Sequence, residues 1–131
     1  MILDLEGRRA VVTGGSRGLG YGIAQALHDS GAEVIITGRT GKVREAAAEI
    51  GSSGPPAYGV TGDLSRQQQR ETVCEQILEI YNGRVDILVN AAGTLNRCAA
   101  FEVTQEDWNE VVELNLNAVF FMSQRIGRSM A

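Results

Sequence analysis

Apolar positions along this chain follow two alternating rhythms. Short apolar runs at residues 9–13 and 33–37 lack the alternation of a one-sided strand and read as strands buried on both faces, residues 85–90 give the clearest strand of all, and residues 57–61 can be a third. Between them the spacing becomes helical. Leu19, Ile23 and Leu27, with Ala24 and Ala26, predict a helix over residues 18–30 that Gly31 closes. Residues 42–50 are alanine-rich and charged, as in a surface helix, and Gly51-Ser52-Ser53-Gly54-Pro55-Pro56 breaks them off. Ser65, with Gln68 three residues on, is a capping-box pattern; Val73, Ile77, Ile80 and Tyr81 supply an apolar stripe behind it, and Asn82-Gly83 ends that helix. Thr104-Gln105-Glu106-Asp107 repeats the start signal ahead of Trp108, Val111, Val112, Leu114, Val119, Phe120 and Met122, which predict one long apolar helix.

Strand, helix and strand within about 30 residues form a βαβ unit, for which the parallel, right-handed arrangement is strongly favoured. Four strands alternating with four helices imply an α/β fold, a Rossmann-like open parallel sheet with helices on both faces. Residues 1–131 show no linker and no second domain.

Composition narrows the class. The chain has 131 residues, 44% hydrophobic and 21% charged, which suits one globular domain with a real core. A net charge of -4 and a pI near 5.0 argue against a general nucleic-acid binder, which needs clustered Lys and Arg. Cys74 and Cys98 form no CxxC pair and no metal-ligand cluster, so no metal is expected and reduced thiols are the default reading. The first seven residues carry no basic leader pattern, and no stretch approaches the roughly 18 consecutive apolar residues of a membrane span. A soluble, cytoplasmic protein is the expectation.

The chemistry begins after the first strand. Between Thr13 and Gly20, four of eight residues are glycine, and a helix follows directly. Glycine admits positive φ and lets a ligand approach the main chain, while the first helical amides point at an anion. In an alternating βα chain such a loop places a nucleotide at the carboxyl ends of the strands. The common dinucleotide fingerprint is not matched literally, since the glycines fall at 14, 18 and 20 and position 23 is Ile; the P-loop pattern fails because Tyr21 stands where Lys is needed.

What the sequence does contain is Thr13-Gly14, three residues, then Gly18-Leu19-Gly20, followed in order by Asp63-Leu64, Asn90-Ala91-Ala92-Gly93 and Asn115. On these motifs the whole chain from residue 5 onward resembles the short-chain dehydrogenase/reductase family. The resemblance implies that Gly14, Ser16, Arg17, Gly18, Leu19 and Gly20 wrap a pyrophosphate and the adjacent ribose. It further implies that Asp63 bonds the adenine edge with Leu64 against the ring, and that Asn90, Ala91 and Gly93 line the nicotinamide ribose. About 20 residues past the glycine loop, where a carboxylate would bind the ribose hydroxyls of NAD, stand Thr37-Gly38-Arg39-Thr40. Arg39 can fork onto a 2′-phosphate with Arg17 as a second clamp, which favours NADP over NAD; the alternative is that both arginines are simply solvated.

In this family the active site comprises an Asn, a Ser and a Tyr-x-x-x-Lys pair. Asn115 matches the Asn, which keeps a helix open for a water in the proton relay. Tyr21, Tyr58 and Tyr81 are followed four residues later by Gln25, Gly62 and Val85, and Lys42 is the only lysine. His28 reads as an exposed cation near a helix terminus rather than a base. A doubly wound domain has two βαβαβ halves, so the chain reads as truncated after the fourth βα unit, with an intact relative about twice as long. The apolar edge at residues 85–89 and the helix after Trp108 then predict a homo-oligomer, or a poorly soluble fragment. Two functions fit: the cofactor-binding part of an NADP-dependent oxidoreductase acting on a small-molecule alcohol or carbonyl, or a non-catalytic nucleotide-binding or dimerisation module.

Overall fold

A computed structural model describes residues 4–131; Met1, Ile2 and Leu3, part of the stretch read as lacking a leader, lie outside the described residues. Four parallel strands, β1 (Arg9–Thr13), β2 (Glu33–Gly38), β3 (Ala57–Thr61) and β4 (Ile87–Asn90), stand in the order β3-β2-β1-β4. Helices α1 (Gly18–Asp29), α2 (Lys42–Ile50) and α3 (Gln67–Ile80) connect them. After β4 come a short helical turn at Ala100–Glu102, then α4 (Gln105–Val112), a π-helical turn at Glu113–Asn117 and α5 (Ala118–Met130). This is the Rossmann-like arrangement that the alternating rhythm predicts.

Register explains the two-sided burial. Val11 of β1 pairs with Ile35 of β2 and Leu88 of β4, while Val12 pairs with Ile36 and Val89. Val11 and Ile35 face a core built with Val73, Ile77, Tyr81, Leu114, Met122 and Ile126 from α3 and the α4–α5 segment. Ala10, Val12, Val34 and Ile36 face the other, built with Ala24 of α1 and Val43, Ala46, Ala47 and Ile50 of α2. Each fully buried Val or Ile of the central strands contributes about 1.5–3 kcal/mol of apolar transfer free energy. β1 and β2 therefore had no polar face to show, whereas β3 exposes Tyr58 and β4 is only partly buried.

Several local expectations change. The Ser65 pattern does not cap α3: Arg66 is the N-cap residue without a side-chain bond, and the Ser65 hydroxyl instead donates to Asp63 Oδ1 at 2.6 Å. Thr104 does cap α4, its Oγ1 accepting from the Asp107 amide at 3.1 Å. The predicted long helix runs without a break through α4 and α5 but carries a π turn at Glu113–Asn117, where Asn115 bonds the Thr94 backbone. Trp108, Phe120 and Ile80, assigned to apolar stripes, are exposed, as is Leu19. His28 is the clearest correction. It is buried, and its Nε2 bonds the Pro55 carbonyl at 2.8 Å, because the α2–β3 connection folds over the end of α1.

Candidate functional site

Strand order reverses at β1, whose neighbours leave in opposite directions, and the crevice at such a switch point is where open α/β sheets take ligands. A cleft of about 390 Å³ opens there. The segments after all four strands contribute to it: the glycine loop, Thr37-Gly38-Arg39, Gly62 with Leu64, and Ala91 to Thr94; Leu114 comes from the π turn.

The loop's glycines are required by geometry. Gly14 has φ +65°, and a Cβ there would sit 2.7 Å from Ala92 Cα. A Cβ on Gly20 would collide with the Gly14 carbonyl oxygen. Gly18, at φ +60°, has nothing within 4 Å of its Cβ position and faces open space. The loop is thus closed on its protein side and open on its cleft side. Arg17 is the N-cap of α1 with no side-chain cap bond, and no acidic residue lies in the first turn. The helix leaves its first amides and its positive dipole end for an anion.

Two buried threonines fix this loop, and sequence reasoning missed both as site residues. Thr13 Oγ1 accepts from the amides of Ala91 and Ala92, each at 3.1 Å, locking the end of β1 to the segment after β4. Thr37 Oγ1 accepts from Gly14 N at 3.3 Å, and its carbonyl accepts from Gly15 N at 3.0 Å. The available signal was a hydroxyl at the end of a doubly buried strand, which must find partners among loop amides.

Of the predicted residues, Gly14, Ser16, Arg17, Gly18, Leu19, Gly20, Arg39, Leu64, Ala91 and Gly93 line the cleft. Leu64 does so while packed into the core, 4% exposed. Asp63 lies between two lining residues. Partial burial opposes its charge, but the Ser65 hydroxyl and amide, then Arg39 and Arg66, outweigh burial and hold its carboxyl below the usual 3.8. Ser65 occupies Oδ1, while Oδ2 has Arg66 Nε at 3.8 Å. Asn90 and Asn115 line a neighbouring hollow that shares Ala92, Gly93 and Thr94 with the cleft. Asn115 is tied there on both sides: Oδ1 accepts from Thr94 N and Nδ2 donates to Thr94 O, both at 2.8 Å. Asn90 Nδ2 donates to Ser123 Oγ at 3.1 Å.

No phenol reaches this region from Tyr81. It is buried at the opposite end of the sheet, donating to the Ala10 carbonyl at 2.7 Å, and burial, then the Glu33 carboxylate, pushes its hydroxyl far above the ordinary value. A larger cavity, about 870 Å³ between α3 and the α4–α5 segment, shares no lining residue with the cleft. Among the described residues, no cluster of His, Cys, Asp or Glu could hold a metal, and no helix is long and apolar enough to cross a membrane.

A glycine cradle at a switch point, closed by buried threonines and facing an uncapped helix, defines a dinucleotide-binding fold. The chain belongs to the short chain dehydrogenase family, which it matches over residues 8–131. It is 36% identical to the 2-dehydro-3-deoxy-D-gluconate 5-dehydrogenase of Bacillus subtilis, over 97% of this chain and 49% of that protein. Identity to the 3-oxoacyl-acyl-carrier-protein reductase of Aquifex aeolicus is also 36%, over 99% of this chain and 53% of the relative. The solved 3-oxoacyl-acyl-carrier-protein reductase of Agrobacterium tumefaciens, with NADP bound, superposes with a TM-score of 0.89 at 34% identity, covering 98% of this chain and 50% of that one. The chain spans about half the length of the curated relatives it matches.

Proposed function

We propose that this chain is the cofactor-binding part of an NADP(H)-dependent oxidoreductase acting on an alcohol or carbonyl. The observation that carries the reading is the cradle itself, where a Cβ at position 14 or 20 would strike backbone and the start of α1 is left uncapped. In this reading the loop from Gly14 to Gly20 holds the pyrophosphate. Asp63 takes the adenine edge through Oδ2, the oxygen that Ser65 does not occupy, and Leu64 backs the ring. Asn90, Ala91 and Gly93 border the nicotinamide ribose. Asn115, on the π turn, holds the hollow beside it open for the proton relay. A bound nicotinamide supplies or accepts the hydride.

NADP over NAD rests on Arg39 and Arg17, both exposed on the cleft wall, and on the absence of a carboxylate at the end of β2. The relative with NADP bound supports the same choice. Fluorescence titration should show tighter binding of NADPH than NADH, and Arg39→Asp should weaken NADPH by about tenfold or more while leaving NADH nearly unchanged. Equal affinities in the original chain, or no response to the substitution, would refute the assignment.

Binding without turnover is a second reading for these 131 residues alone, favoured by the absence of Tyr-x-x-x-Lys and by the burial of Tyr81 away from the cleft. A carbonyl is not reduced efficiently without a positioned proton donor. Purified chain should bind NADPH yet show no NADPH-dependent carbonyl reduction; measurable turnover would overturn this. Self-association is expected as well, since β4 is an edge strand and Trp108, Leu116 and Phe120 are exposed. Light scattering that gave a stable monomer would contradict it.

A further inference from the structure

We propose that Arg70 is a positioning residue that couples the adenine side of the cleft to the turn carrying Asn115. The inference rests on the cofactor reading above. Arg70, in α3, is 5% exposed although it is charged. Its Nη1 donates to the Leu64 carbonyl at 2.9 Å and lies 3.7 Å from Glu113 Oε2, while the guanidinium sits over the Phe121 ring at 5.3 Å. Glu113 opens the π turn, and its other oxygen, Oε1, accepts from Asn117 Nδ2 at 2.9 Å across that turn. Asn115 lies between these two residues and grips the Thr94 backbone.

The connection is therefore continuous. It runs from Leu64 on one wall of the cleft, through Arg70 and Glu113, into the turn, and back through Asn115 to Thr94 on another wall. Removing a guanidinium from water is costly, and an apolar side chain filling the same space would usually serve stability as well or better. Here one charged nitrogen, Nη1, both donates to the Leu64 carbonyl and faces the Glu113 carboxylate, on a planar group that is more rigid than a flexible ammonium. A shift of the Leu64 carbonyl on adenine docking would thereby reach the turn through Arg70 and Glu113. By linkage, filling the adenine side must then change the free energy of the Asn115–Thr94 contact.

The test uses 2′,5′-ADP, which covers the adenine side and carries no nicotinamide, with the Thr94 amide followed by hydrogen-exchange NMR. In the unmodified chain, saturating 2′,5′-ADP should slow Thr94 exchange by about fivefold and shift the Asn115 side-chain amide signals. In Arg70→Met and in Glu113→Gln that response should largely vanish while 2′,5′-ADP affinity changes by less than about threefold; Arg70→Lys should restore part of it. Glu113→Gln keeps an oxygen for Asn117 and decides the matter if Arg70→Met does not fold. Unchanged Thr94 exchange in the unmodified chain, or an undiminished response in Glu113→Gln, would overturn the coupling and leave the cofactor reading intact. Failure of 2′,5′-ADP to bind would overturn both.

Discussion

The two ends of the same sheet use polar groups in opposite ways. At the amino ends of the strands, Arg9 N donates to Asp86 Oδ2 and Asp86 N to Arg9 O, both at 2.8 Å. Arg9 Nε pairs with Glu33 at 3.2 Å, its Nη1 donates to the Tyr81 carbonyl at 2.7 Å, and the Tyr81 hydroxyl closes onto Ala10. These donors and acceptors satisfy one another. At the carboxyl ends Thr13 and Thr37 are spent on shaping a loop, and Asn90, Asn115 and one oxygen of Asp63 are held by Ser123, Thr94 and Ser65. The start of α1, Arg17 and Arg39 face the cleft. One end holds the strands together, and the other is shaped by them to receive something.

If that contrast is right, damage at either end should separate binding from stability. Gly14→Val is expected to have the largest effect. It demands φ +65° of a β-branched residue and drives a Cβ to 2.7 Å from Ala92 Cα, so the loop must move away from the segment after β4. Calorimetric titration should show NADPH affinity down by more than about 100-fold, because the amides no longer converge on one anion. Tyr81→Phe tests the other end. Losing the hydroxyl leaves the buried Ala10 carbonyl short of a partner and should lower unfolding free energy by about 1–3 kcal/mol in urea melts, with NADPH affinity within about twofold. Weakened binding in Tyr81→Phe comparable to that in Gly14→Val would show that the ends are not independent.

How much of this was legible in the sequence follows the same division. The strands were readable because Val11, Val12, Val34, Ile35 and Ile36 are apolar on both faces, and the glycine loop because all four of its glycines answer a demand, positive φ at 14 and 18 and a blocked Cβ at 14, 15 and 20. Features set by a distant partner were not readable. His28 looks like a surface cation until the Gly51–Pro56 connection covers it, and Arg70 looks like a solvated charge on a helix until Leu64 and Glu113 close around it. The π turn coincides with Asn115 meeting Thr94, 21 residues earlier. The Ser65 pattern misled because Asp63 competes for the same hydroxyl at shorter range. Nothing in spacing alone decides which acceptor wins.

The smallest expected effect lies at that competition, and it tests whether the rim of the cleft is organised before a ligand arrives. Asp63 titrates below its ordinary 3.8 in the folded chain despite partial burial, because the Ser65 donors, Arg39 and Arg66 favour the carboxylate. A carboxyl whose folded value is depressed binds fewer protons folded than unfolded through that window, so its stabilising contribution is full above the unfolded value, about 3.9. It is lost as pH falls through the folded value. Asp63→Asn removes the contribution at every pH, and the difference in unfolding free energy between the two proteins cancels the other carboxylates. That difference should be constant above about pH 5 and shrink steadily below about pH 4. A difference independent of pH would mean that Ser65 and the two arginines do not hold the carboxylate in solution, and the rim would then be organised only by what binds there.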